Sequence, residues 1–449
     1  MTRRTWIQTA AGAAIASAQT ARPNIIVFLA DDLGWRNVGY QGSEIQTPNI
    51  DKLAEGGLRF NRFHSFPLCS PTRTGLMTGR HPIRYGLAYS VVRPWSHYGL
   101  SPAEKTIADV FREAGYQTAI TGKWHLGHTH VRLLPRSRGF DHFYGHVNGA
   151  IDYFAHNRGE AIDWQRNGET LKEKGYTTDL LAAEASRWIR ARDRSRPFFL
   201  YVPWNAPHTP LQAPDDLLNK YSFIKETRSR TYAAMVDAMD RGIGQVISTL
   251  EQEQVVSDTL IVFLSDNGGP RGAGADNGSL RAGKATVFEG GLRVPAAMYW
   301  RGQIKPGITD QVATILDLLP TLASAAGVRV NTSQPLDGID LWPQLSAGKV
   351  IERGELFFAV QGDTGPKQHA LRLGPWKLVR IGATEHLFDV VNDPDEKNDV
   401  AAANSERVNY LRARMDKWIA LHPPSEIITS QHPHPGWVPP SDWAQAAVR

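Results

Sequence analysis

Cysteine is nearly absent from this sequence, since Cys69 is the single one among 449 residues. A lone thiol excludes an internal disulfide, so Cys69 is either a small buried side chain or a chemically reactive group. Long apolar runs are also missing, and no segment approaches the ~20 apolar residues that a membrane-spanning helix needs. The net charge of +5 comes without a long Lys/Arg run. It is compatible with an acidic substrate and equally with an ordinary solvated surface, and no motif indicates a nucleic-acid partner.

The N-terminus has the features of an export signal. Arg3 and Arg4 precede a weakly apolar, alanine-rich stretch over residues 9–18 that ends in the triplet A-S-A. A charged start, a short apolar centre and an A-x-A site are typical of a secretory signal, and the arginine pair favours the twin-arginine route. We therefore predict that residues 1–18 are an export signal and that the protein is bacterial and periplasmic or secreted. The alternative is a disordered N-terminus.

Short and almost wholly apolar runs alternate with helical patterns, which predicts parallel strands buried on both faces. The clearest strands are residues 24–30 (N-I-I-V-F-L-A), 197–202 (P-F-F-L-Y-V) and 259–264 (T-L-I-V-F-L). Residues 103–114 and 232–250 carry apolar side chains at helical spacing between these strands. The fold class is therefore α/β, an open sheet with helices on both sides.

The sequence pattern changes after about residue 345. Short strand-like segments separated by turn residues follow, and a final amphipathic helix is predicted over residues 404–421. The predicted strands are residues 355–360, 369–373, 376–381 and 386–390. We therefore predict a catalytic domain over residues 22–345 and a small α+β subdomain over residues 346–449, with a four-stranded antiparallel sheet and a proline-rich tail.

Oxygen-bearing side chains follow two of the predicted strands. Asp31 and Asp32 come after the first strand, and Asp266 and Asn267 come after the strand over residues 259–264. Sites in open α/β sheets form beyond the carboxyl ends of the strands, so these four side chains are expected to converge. Oxygen ligands without His or Cys predict a hard cation, Ca²⁺ in preference to Mg²⁺. Either pair alone is also explained by a strand-end turn or a helix cap.

Cys69 opens the run C-S-P-T-R, in which Pro71 is typical of the first turn of a helix. Cys69 then lies at a helix N-terminus, where free amide groups and the helix dipole favour an anion. Arg73, one turn along, adds a planar pair of donors for a tetrahedral oxyanion. This pattern predicts an anion site that has the thiol at its base.

Further basic residues lie in loops with distinctive sequences. They are Lys123 and His125 in G-K-W-H-L-G, His208 in A-P-H-T-P, and Lys284 in R-A-G-K. Lys123 and His125 occupy alternate positions of a segment predicted to be extended, so both can face the same way. Each residue alone is more simply a surface charge or a loop histidine. Together with Arg73 and a cation they supply what cleavage of an ester of a tetrahedral oxyanion requires, namely charge neutralisation and proton transfer.

Several ordered blocks carry a resemblance to a known family. They are A-D-D-L-G-W, C-S-P-T-R-T-G-L-M-T-G-R, G-K-W-H-L-G, R-G-F-D-H-F-Y-G, A-P-H-T-P-L-Q-A-P, S-D-N-G-G and L-R-A-G-K-A-T-V-F-E-G-G-L-R-V-P. On these blocks the chain resembles the type I sulfatases of the alkaline phosphatase superfamily, and within them the arylsulfatase B or N-acetylgalactosamine-4-sulfatase group. The resemblance implies an alkaline-phosphatase-like sandwich with a large, mostly parallel central sheet. The chain departs from the animal members in lacking their disulfide cysteines.

The resemblance also implies roles for the candidate residues. A formylglycine-generating maturation enzyme would convert Cys69 to an aldehyde, whose hydrate attacks sulfur. The implied ligands of Ca²⁺, or alternatively Mg²⁺, are the modified Cys69, Asp31, Asp32, Asp266 and Asn267. The implied catalytic roles are Arg73 for the diol, Lys123 and Lys284 for the sulfate oxygens, His208 with Lys284 for the leaving alcohol, and His125 for the proton of the second hydroxyl.

The implied substrate is a sulfated saccharide, with a 4-O-sulfate on a galacto-configured sugar as the first candidate. Residues 149–156 resemble a substrate-side segment, so Asp152, Tyr153 and His156 are candidate sugar contacts, with an ordinary packed loop as the alternative. Two other functions stay open. One is a phosphonate monoester hydrolase or phosphodiesterase of the same superfamily, and the other is an inactive carbohydrate-binding homologue. The sequence does not indicate an oligomeric state.

Overall fold

The computed structural model of the chain describes residues 22–362, 365–423 and 432–448. The predicted export signal therefore lies outside the described residues. The strands are β1 (Asn24–Ala30), β2 (Leu58–Phe60), β3 (Phe63–His64), β4 (Gln117–Lys123), β5 (His142–His146), β6 (Asn157–Arg158), β7 (Ala161–Ile162), β8 (Gln165–Arg166), β9 (Glu169–Thr170), β10 (Phe198–Pro203), β11 (Thr259–Ser265), β12 (Ala296–Tyr299), β13 (Gly307–Thr309), β14 (Ala313–Thr314), β15 (Leu356–Val360), β16 (Gln368–Leu373), β17 (Trp376–Ile381) and β18 (Thr384–Asp389).

The helices are numbered along the chain in the same way. They are α1 (Pro48–Gly56), α2 (Cys69–Thr78), α3 (Ile107–Glu113), α4 (Thr177–Ala191), α5 (Asp215–Lys220), α6 (Thr227–Gln252), α7 (Glu289–Leu292), α8 (Leu318–Ala325), α9 (Trp342–Ala347) and α10 (Ser405–Ile419). Short 3-10 turns occur at Gly39–Gln41, Pro82–Tyr85, Val131–Leu133, Pro135–Arg138, Val256–Asp258, Arg271–Ala273 and Ile315–Asp317. Among the described helices, none is both long enough and apolar enough to cross a membrane.

Ten strands form one mixed sheet in the order β13-β2-β12-β11-β1-β10-β4-β5-β8-β9. The five central strands, β11 to β5 in this order, are parallel. In β1, Ile25 and Val27 enter one hydrophobic core and Ile26 and Phe28 enter the other. Successive side chains of a strand face opposite sides, so a wholly apolar strand needs cover on both sides. The predicted α/β sandwich is confirmed.

Helices provide this cover on each face of the sheet. Leu181 of α4 and Ile243 of α6 lie in the core that contains Ile26, whereas Leu76 of α2 and Leu319 of α8 lie in the opposite core. The helix predicted over residues 232–250 is longer than expected, because it begins at Thr227 and ends at Gln252. The central sheet therefore has fixed strand ends, and the loops that follow them are held by two packed helical layers.

The helix predicted over residues 103–114 begins later than expected, at Ile107. Thr106 caps it, because its hydroxyl accepts from the Asp109 N–H at 3.1 Å and Asp109 accepts from the Thr106 N–H at 3.1 Å. This reciprocal pair satisfies two amide groups and defines where a helix starts. The predicted helix started too early because it was based on the spacing of apolar residues alone, without the cap at Thr106.

The four strands β15 to β18 form an antiparallel sheet in chain order, as predicted. One face packs on α10 through Leu411 and Met415, and the other face joins the main core through Phe358 and Val379. The predicted boundary at residues 345 and 346 lies within α9, and the exact limits of the subdomain stay a prediction. The small sheet is attached to the main core by a continuous apolar contact.

Candidate functional site

The candidate site lies where four neighbouring parallel strands end. Ala30 is paired with Ser265, and Leu29 with Pro203, so the loops after β1, β11 and β10 start at one edge of the sheet. The Asp31 N–H donates to the Ala206 carbonyl at 3.1 Å, which ties the loop after β1 to the loop that carries His208. The convergence that the sequence predicts beyond these strand ends is present.

Helix α2 directs Cys69 into this group of loops. Cys69 is the first helical residue and Pro71 is the third, so Pro71 lies in the first turn and Cys69 at the helix N-terminus, as predicted. Every residue of α2 is buried. The Thr72 hydroxyl donates to the Asp266 carbonyl at 2.6 Å, and the Ser70 hydroxyl donates to the His125 carbonyl at 2.9 Å. The helix N-terminus is thereby attached to two of the loops that surround the site.

Arg73 lies behind Cys69, and its side chain is only 1% exposed. Its guanidinium donates to Asp266 Oδ2 at 3.0 Å and to the Lys123 carbonyl at 3.1 Å. Burial alone would lower the pKa of Arg73, but the neighbouring Tyr201, Asp266 and Asp31 raise it, so the guanidinium stays charged. It is a fixed positive group at the base of the site.

Two lysines are paired with the two adjacent aspartates. Lys123 Nζ is 2.5 Å from Asp31 Oδ2, and both side chains are fully buried. Lys284 Nζ is 2.6 Å from Asp32 Oδ1 and 2.7 Å from Oδ2. Although burial opposes it, the Asp32 carboxylate raises the pKa of Lys284, and Lys284 and His208 together hold the pKa of Asp32 low. Both lysines and both carboxylates are therefore held at the site that the sequence predicts.

The donor set suits a hard cation. Asp31, Asp32, Cys69 and His208 each offer one ligand atom, and these atoms lie within 4.8 Å of one another. Cys69 Sγ is 3.4 Å from Asp31 Oδ1 and 3.6 Å from Asn267 Oδ1. Carboxylate and amide oxygens are the ligands of Ca²⁺ and Mg²⁺. The residues present therefore fit the predicted cation, with oxygen atoms from the loops after β1 and β11 and the side chain of residue 69 at the helix N-terminus.

Asp266 links the loop after β1 to Arg73. Its Oδ1 accepts from the Asp32 N–H at 3.1 Å and its Oδ2 accepts from Arg73. Burial and the adjacent Asp31 raise the pKa of Asp266 to about 6. A bound divalent cation would favour the ionised form of this carboxyl group, since an opposite charge nearby lowers the pKa of a carboxylic acid.

The two candidate histidines are held in defined orientations. His125 Nε2 donates to the Val92 carbonyl at 2.8 Å, and its Nδ1 is buried without a hydrogen bond to any described residue. Burial, followed by the charges of Lys123 and Arg73, lowers the pKa of His125 well below its ordinary value. His125 is therefore neutral, with Nδ1 free to accept a proton.

His208 lies beside Asp31, Asp32 and Cys69. Its Nδ1 donates to the Thr209 carbonyl at 2.6 Å, and its Nε2 is 3.7 Å from Asp32 Oδ2. Burial and the nearby Lys284 lower the pKa of His208 to about 3. Its Nε2 faces the carboxylates and the cavity, so His208 and Lys284 form one basic pair.

The expectation that Lys123 and His125 lie on one extended segment is wrong. β4 ends at Lys123, and His125 has a φ of 60°, in the left-handed region. Asp32, Ala282 and Ala285 share this unusual backbone conformation. Such residues cost about 1–3 kcal/mol each and are concentrated at functional sites. The turn at His125 places its ring on the cavity wall, while Lys123 reaches the carboxylates beneath it.

A cavity of about 610 Å³ opens above Cys69. Four candidate catalytic residues line it: Cys69, His125, His208 and Lys284. The other described residues on its wall are Leu68, Ser90, Val91, Val92, Arg93, Pro94, Trp95, Gly149, Ala150, Arg158, Thr209, Pro210, Ala285, Gln361 and Gly362. A cavity of this size with convergent polar groups is typical of a small-molecule or oligosaccharide site.

The candidate sugar contacts do not line this cavity. The Tyr153 hydroxyl donates to the Asn205 and His208 carbonyls at 2.5 and 2.8 Å, and the tyrosine side chain is buried. Asp152 accepts from Gln212 at 2.7 Å, and His156 stacks on Trp164. The packed-loop alternative fits these contacts better than a sugar contact does, because the polar groups are already used within the protein. Tyr153 in particular holds the His208 loop through its two hydrogen bonds.

Sequence reasoning missed three residues on the cavity wall, namely Arg93, Trp95 and Arg158. Arg93 and Trp95 are close in the sequence, and the guanidinium of Arg93 is 5.9 Å from the Trp95 ring centroid. The R-P-W triplet is the one local signal that could have drawn attention to them. Arg158 has no such signal, because the fold alone brings it to the cavity.

Comparisons with known proteins agree with this geometry. Residues 23–328 match the protein family described as Sulfatase. Arylsulfatase J of Mus musculus is 35% identical over 457 aligned residues, which cover 90% of this chain and 76% of that protein. The N-acetylgalactosamine-6-sulfatase of Homo sapiens is 33% identical, with 78% of this chain and 70% of that protein covered.

A solved structure is similar to this chain over most of its length. The structure of Ps i-CgsB in complex with k-i-k-neocarrahexaose superposes with a TM-score of 0.85 at 35% identity. The superposition covers 91% of this chain and 94% of the other. The similarity therefore extends well beyond the residues that match the family.

Proposed function

The chain belongs to the sulfatase family and is therefore a sulfuric ester hydrolase, and on this premise we propose that it removes sulfate from a sulfated carbohydrate through an aldehyde formed from Cys69. The relatives support the substrate class. One is named for N-acetylgalactosamine 6-sulfate, and another was solved with k-i-k-neocarrahexaose. A 4-O-sulfate on a galacto-configured sugar and closeness to arylsulfatase B remain part of the proposal.

The observation that carries the proposal is the position of Cys69. Its Sγ lies 3.4 Å from Asp31 in a cavity that also exposes His125, His208 and Lys284. Burial, followed by the charges of Asp266 and Asp31, raises the pKa of the Cys69 thiol well above its ordinary value. A thiol that resists ionisation is a poor nucleophile. The surroundings favour a neutral hydroxyl nucleophile instead, which is what a hydrated aldehyde at residue 69 would provide.

The reaction divides into two steps. One hydroxyl of the hydrated aldehyde attacks sulfur and loses its proton, the bond between sulfur and the sugar oxygen breaks, and the sugar leaves as an alcohol. The second hydroxyl then loses its proton, the carbonyl re-forms, and sulfate departs with both bonding electrons. Water restores the hydrate. A serine at this position would stay sulfated, because it has no second hydroxyl to expel the sulfate.

The described side chains match the needs of these steps. The ammonium groups of Lys123 and Lys284 neutralise sulfate oxygens, and Arg73 holds the diol from below. The ammonium group of Lys284, in its pair with His208, delivers a proton to the leaving sugar oxygen. His125 accepts the proton of the second hydroxyl at Nδ1, because its Nε2 is committed to the Val92 carbonyl. Proton transfer by a positioned side chain contributes typically about 10²- to 10⁴-fold to rate.

A divalent cation completes the proposed site. Asp31, Asp32, Asp266, Asn267 and the modified residue 69 would hold Ca²⁺, or alternatively Mg²⁺. The bound cation would supply a fixed positive charge that stabilises the negative charge on the sulfate and the nucleophile. We expect a chelator to lower both activity and Tm, and added Ca²⁺ to restore both, since a ligand that binds only the folded state stabilises it.

Sulfate release from a substrate panel tests the proposed function. The protein is produced with a formylglycine-generating enzyme and incubated with sulfated disaccharides of defined sulfate position, an aryl sulfate and an aryl phosphate diester. Sulfate release from a saccharide, absent in Cys69→Ala, supports the proposal. Faster cleavage of the diester identifies a phosphodiesterase or phosphonate hydrolase instead. Saccharide binding without any turnover in aldehyde-containing protein identifies a carbohydrate-binding homologue.

We also propose that the protein is exported to the periplasm or beyond. The support is the pattern of residues 1–18, in which Arg3 and Arg4 precede the alanine-rich stretch. N-terminal sequencing of protein recovered from the periplasm of a bacterial host should begin after the A-S-A triplet. Replacing both arginines by lysine should retain the protein in the cytoplasm if the twin-arginine route is used. Processing and export that are unaffected would contradict this route.

A further inference from the structure

The cavity above Cys69 has a positively charged wall as well as a reactive base. Arg93 and Arg158 lie on the wall, and neither has a role in the proposed chemistry at sulfur. Among the described residues that line the cavity, none is acidic. A wall of this kind attracts an anionic group that is not the reacting sulfate.

Arg158 is the residue that most needs a partner. It is half-buried on the short hairpin of β6 and β7. Within the described parts of the chain, its guanidinium makes no hydrogen bond or ion pair. Burial lowers the pKa of Arg158, Asp163 opposes this effect, and the charge of Arg93 adds to it. Arg158 and Arg93 are therefore close enough for their like charges to repel.

The acid that influences Arg158 is not available as a partner. Asp163 is fully buried, and its two oxygens accept from the Val147 N–H and from the N–H and side-chain amide of Asn148, each at 2.9 Å. Both carboxylate oxygens therefore already accept hydrogen bonds from other described residues. A half-buried guanidinium without a hydrogen bond is costly unless a ligand supplies the acceptor.

Trp95 gives the same wall an apolar surface beside the charge. Its ring lies under the guanidinium of Arg93 and packs edge-on against Trp437 at 5.9 Å, which fixes its orientation. Aromatic rings of this kind pack against the apolar faces of sugars. An aromatic surface next to two guanidinium groups suits a sugar ring that carries an acidic substituent.

We propose that Arg158, together with Arg93, binds a second acidic group of the substrate, so that the preferred saccharide carries a sulfate or carboxylate in addition to the sulfate that is removed. This inference rests on the proposed function. Both groups offer paired oxygen atoms to a guanidinium, which can bind them through two parallel hydrogen bonds. The monoanionic saccharide is then a poorer substrate, because it leaves the guanidinium group of Arg158 without an acceptor.

Kinetics with matched substrates test the subsite. The substrates are a monosulfated disaccharide, its disulfated form, a monosulfated disaccharide that contains a uronate, and an aryl sulfate. Arg158→Met should lower kcat/KM for a dianionic disaccharide by about 10- to 100-fold, since a charge-assisted hydrogen bond is lost. The aryl sulfate should be turned over as in the wild type, and Arg158→Lys should recover part of the loss.

Arg136→Met is the matched control, because Arg136 is exposed and does not line the cavity. A loss confined to the disulfated substrate identifies a second sulfate, and a loss confined to the uronate identifies a carboxylate. Wild-type kinetics of Arg158→Met on both dianionic substrates would overturn the inference. An equal loss on all substrates, the aryl sulfate included, would also overturn it.

A binding measurement separates this inference from the proposed function. Calorimetric titration of the two dianionic disaccharides into Cys69→Ala and into Cys69→Ala/Arg158→Met needs no turnover. At least one dianionic disaccharide should bind about 10- to 100-fold more weakly to the double variant. If the wild type hydrolyses nothing but this difference is found, the sulfatase proposal on saccharides fails and the anion subsite stands. Equal binding to both variants, or binding to neither, overturns the subsite.

Discussion

Lys377 is the centre of a buried ionic cluster that joins the C-terminal sheet to helix α7. Its Nζ is 2.9 Å from Glu289 Oε1 and 2.9 Å from Glu396 Oε1, and the three side chains are at most 3% exposed. The Glu396 carboxylate accepts from the Glu289 N–H at 2.6 Å, and its backbone carbonyl accepts from Arg281 at 2.8 Å. Replacing Lys377 by Met keeps the apolar stem and removes the one ammonium that separates the two carboxylates.

The expected cost of Lys377→Met is large. Removing one partner of a buried ion pair costs about 3–5 kcal/mol of the free energy of unfolding, because the two carboxylates stay buried without the cation that they share. An unfolding entropy of about 2.1 cal/mol/K per residue gives about 0.9 kcal/mol/K for this chain, so Tm should fall by about 3–5 °C. Adding Glu396→Gln should recover part of this loss, since it removes one of the two facing carboxylates.

Scanning calorimetry with a matched lysine variant checks this magnitude. Lys397 is 69% exposed and pairs with Asp395 at 2.7 Å, so Lys397→Met should cost less than about 1 kcal/mol. The two variants remove the same charge and leave the same side chain. If Lys377→Met and Lys397→Met lower Tm equally, the ammonium of Lys377 does not stabilise the cluster and the reasoning is refuted.

Three further changes have defined outcomes. Arg73→Lys keeps the charge but loses the paired contact with Asp266 and a neighbouring carbonyl, so kcat on an aryl sulfate should fall about 10²- to 10³-fold; kcat near the wild type would contradict this role. Ser70→Ala leaves two buried backbone groups without a partner, and calorimetry should show Tm about 1–3 °C lower; an unchanged Tm would refute it. Burial lowers the pKa of His81 and His128 to about 4. Below about pH 6.5 the unfolded chain therefore binds protons that the folded chain does not, and the free energy of unfolding should fall between pH 6.5 and 4 by up to about 3 kcal/mol per histidine; a urea midpoint that is constant over this range would contradict it.

The strand ends were predictable because their signals are local and repeated. Two apolar runs that stop at Asp31 and Asp266 belong to parallel strands, and parallel strands end at one edge of a sheet. Cys69 was placed at the start of a helix by the proline that follows it. What the pattern could not specify was the backbone of the loops, such as the left-handed turn at His125. That turn depends on contacts with distant residues such as Val92.

The wall of the cavity was not predictable from the sequence. Arg158 reaches it from a hairpin far from Cys69 along the chain, and an isolated arginine is most simply a solvated charge. Tyr153 is a second example, because the sequence left both a sugar contact and a packed loop open, and in the structure its side chain is buried with its hydroxyl donating to the Asn205 carbonyl. Local sequence distinguishes an apolar strand from a loop, but it does not show which loop residues are already used within the protein.

The mass of the peptide that contains residue 69, measured in preparations of known specific activity, tests the proposed chemistry most directly. We predict that the fraction of this peptide that carries an aldehyde rises in proportion to the rate of sulfate release from a sulfate ester. Cys69→Ala should show neither the aldehyde nor activity. Full activity in a preparation that contains only the unmodified Cys69 thiol would contradict the proposed nucleophile.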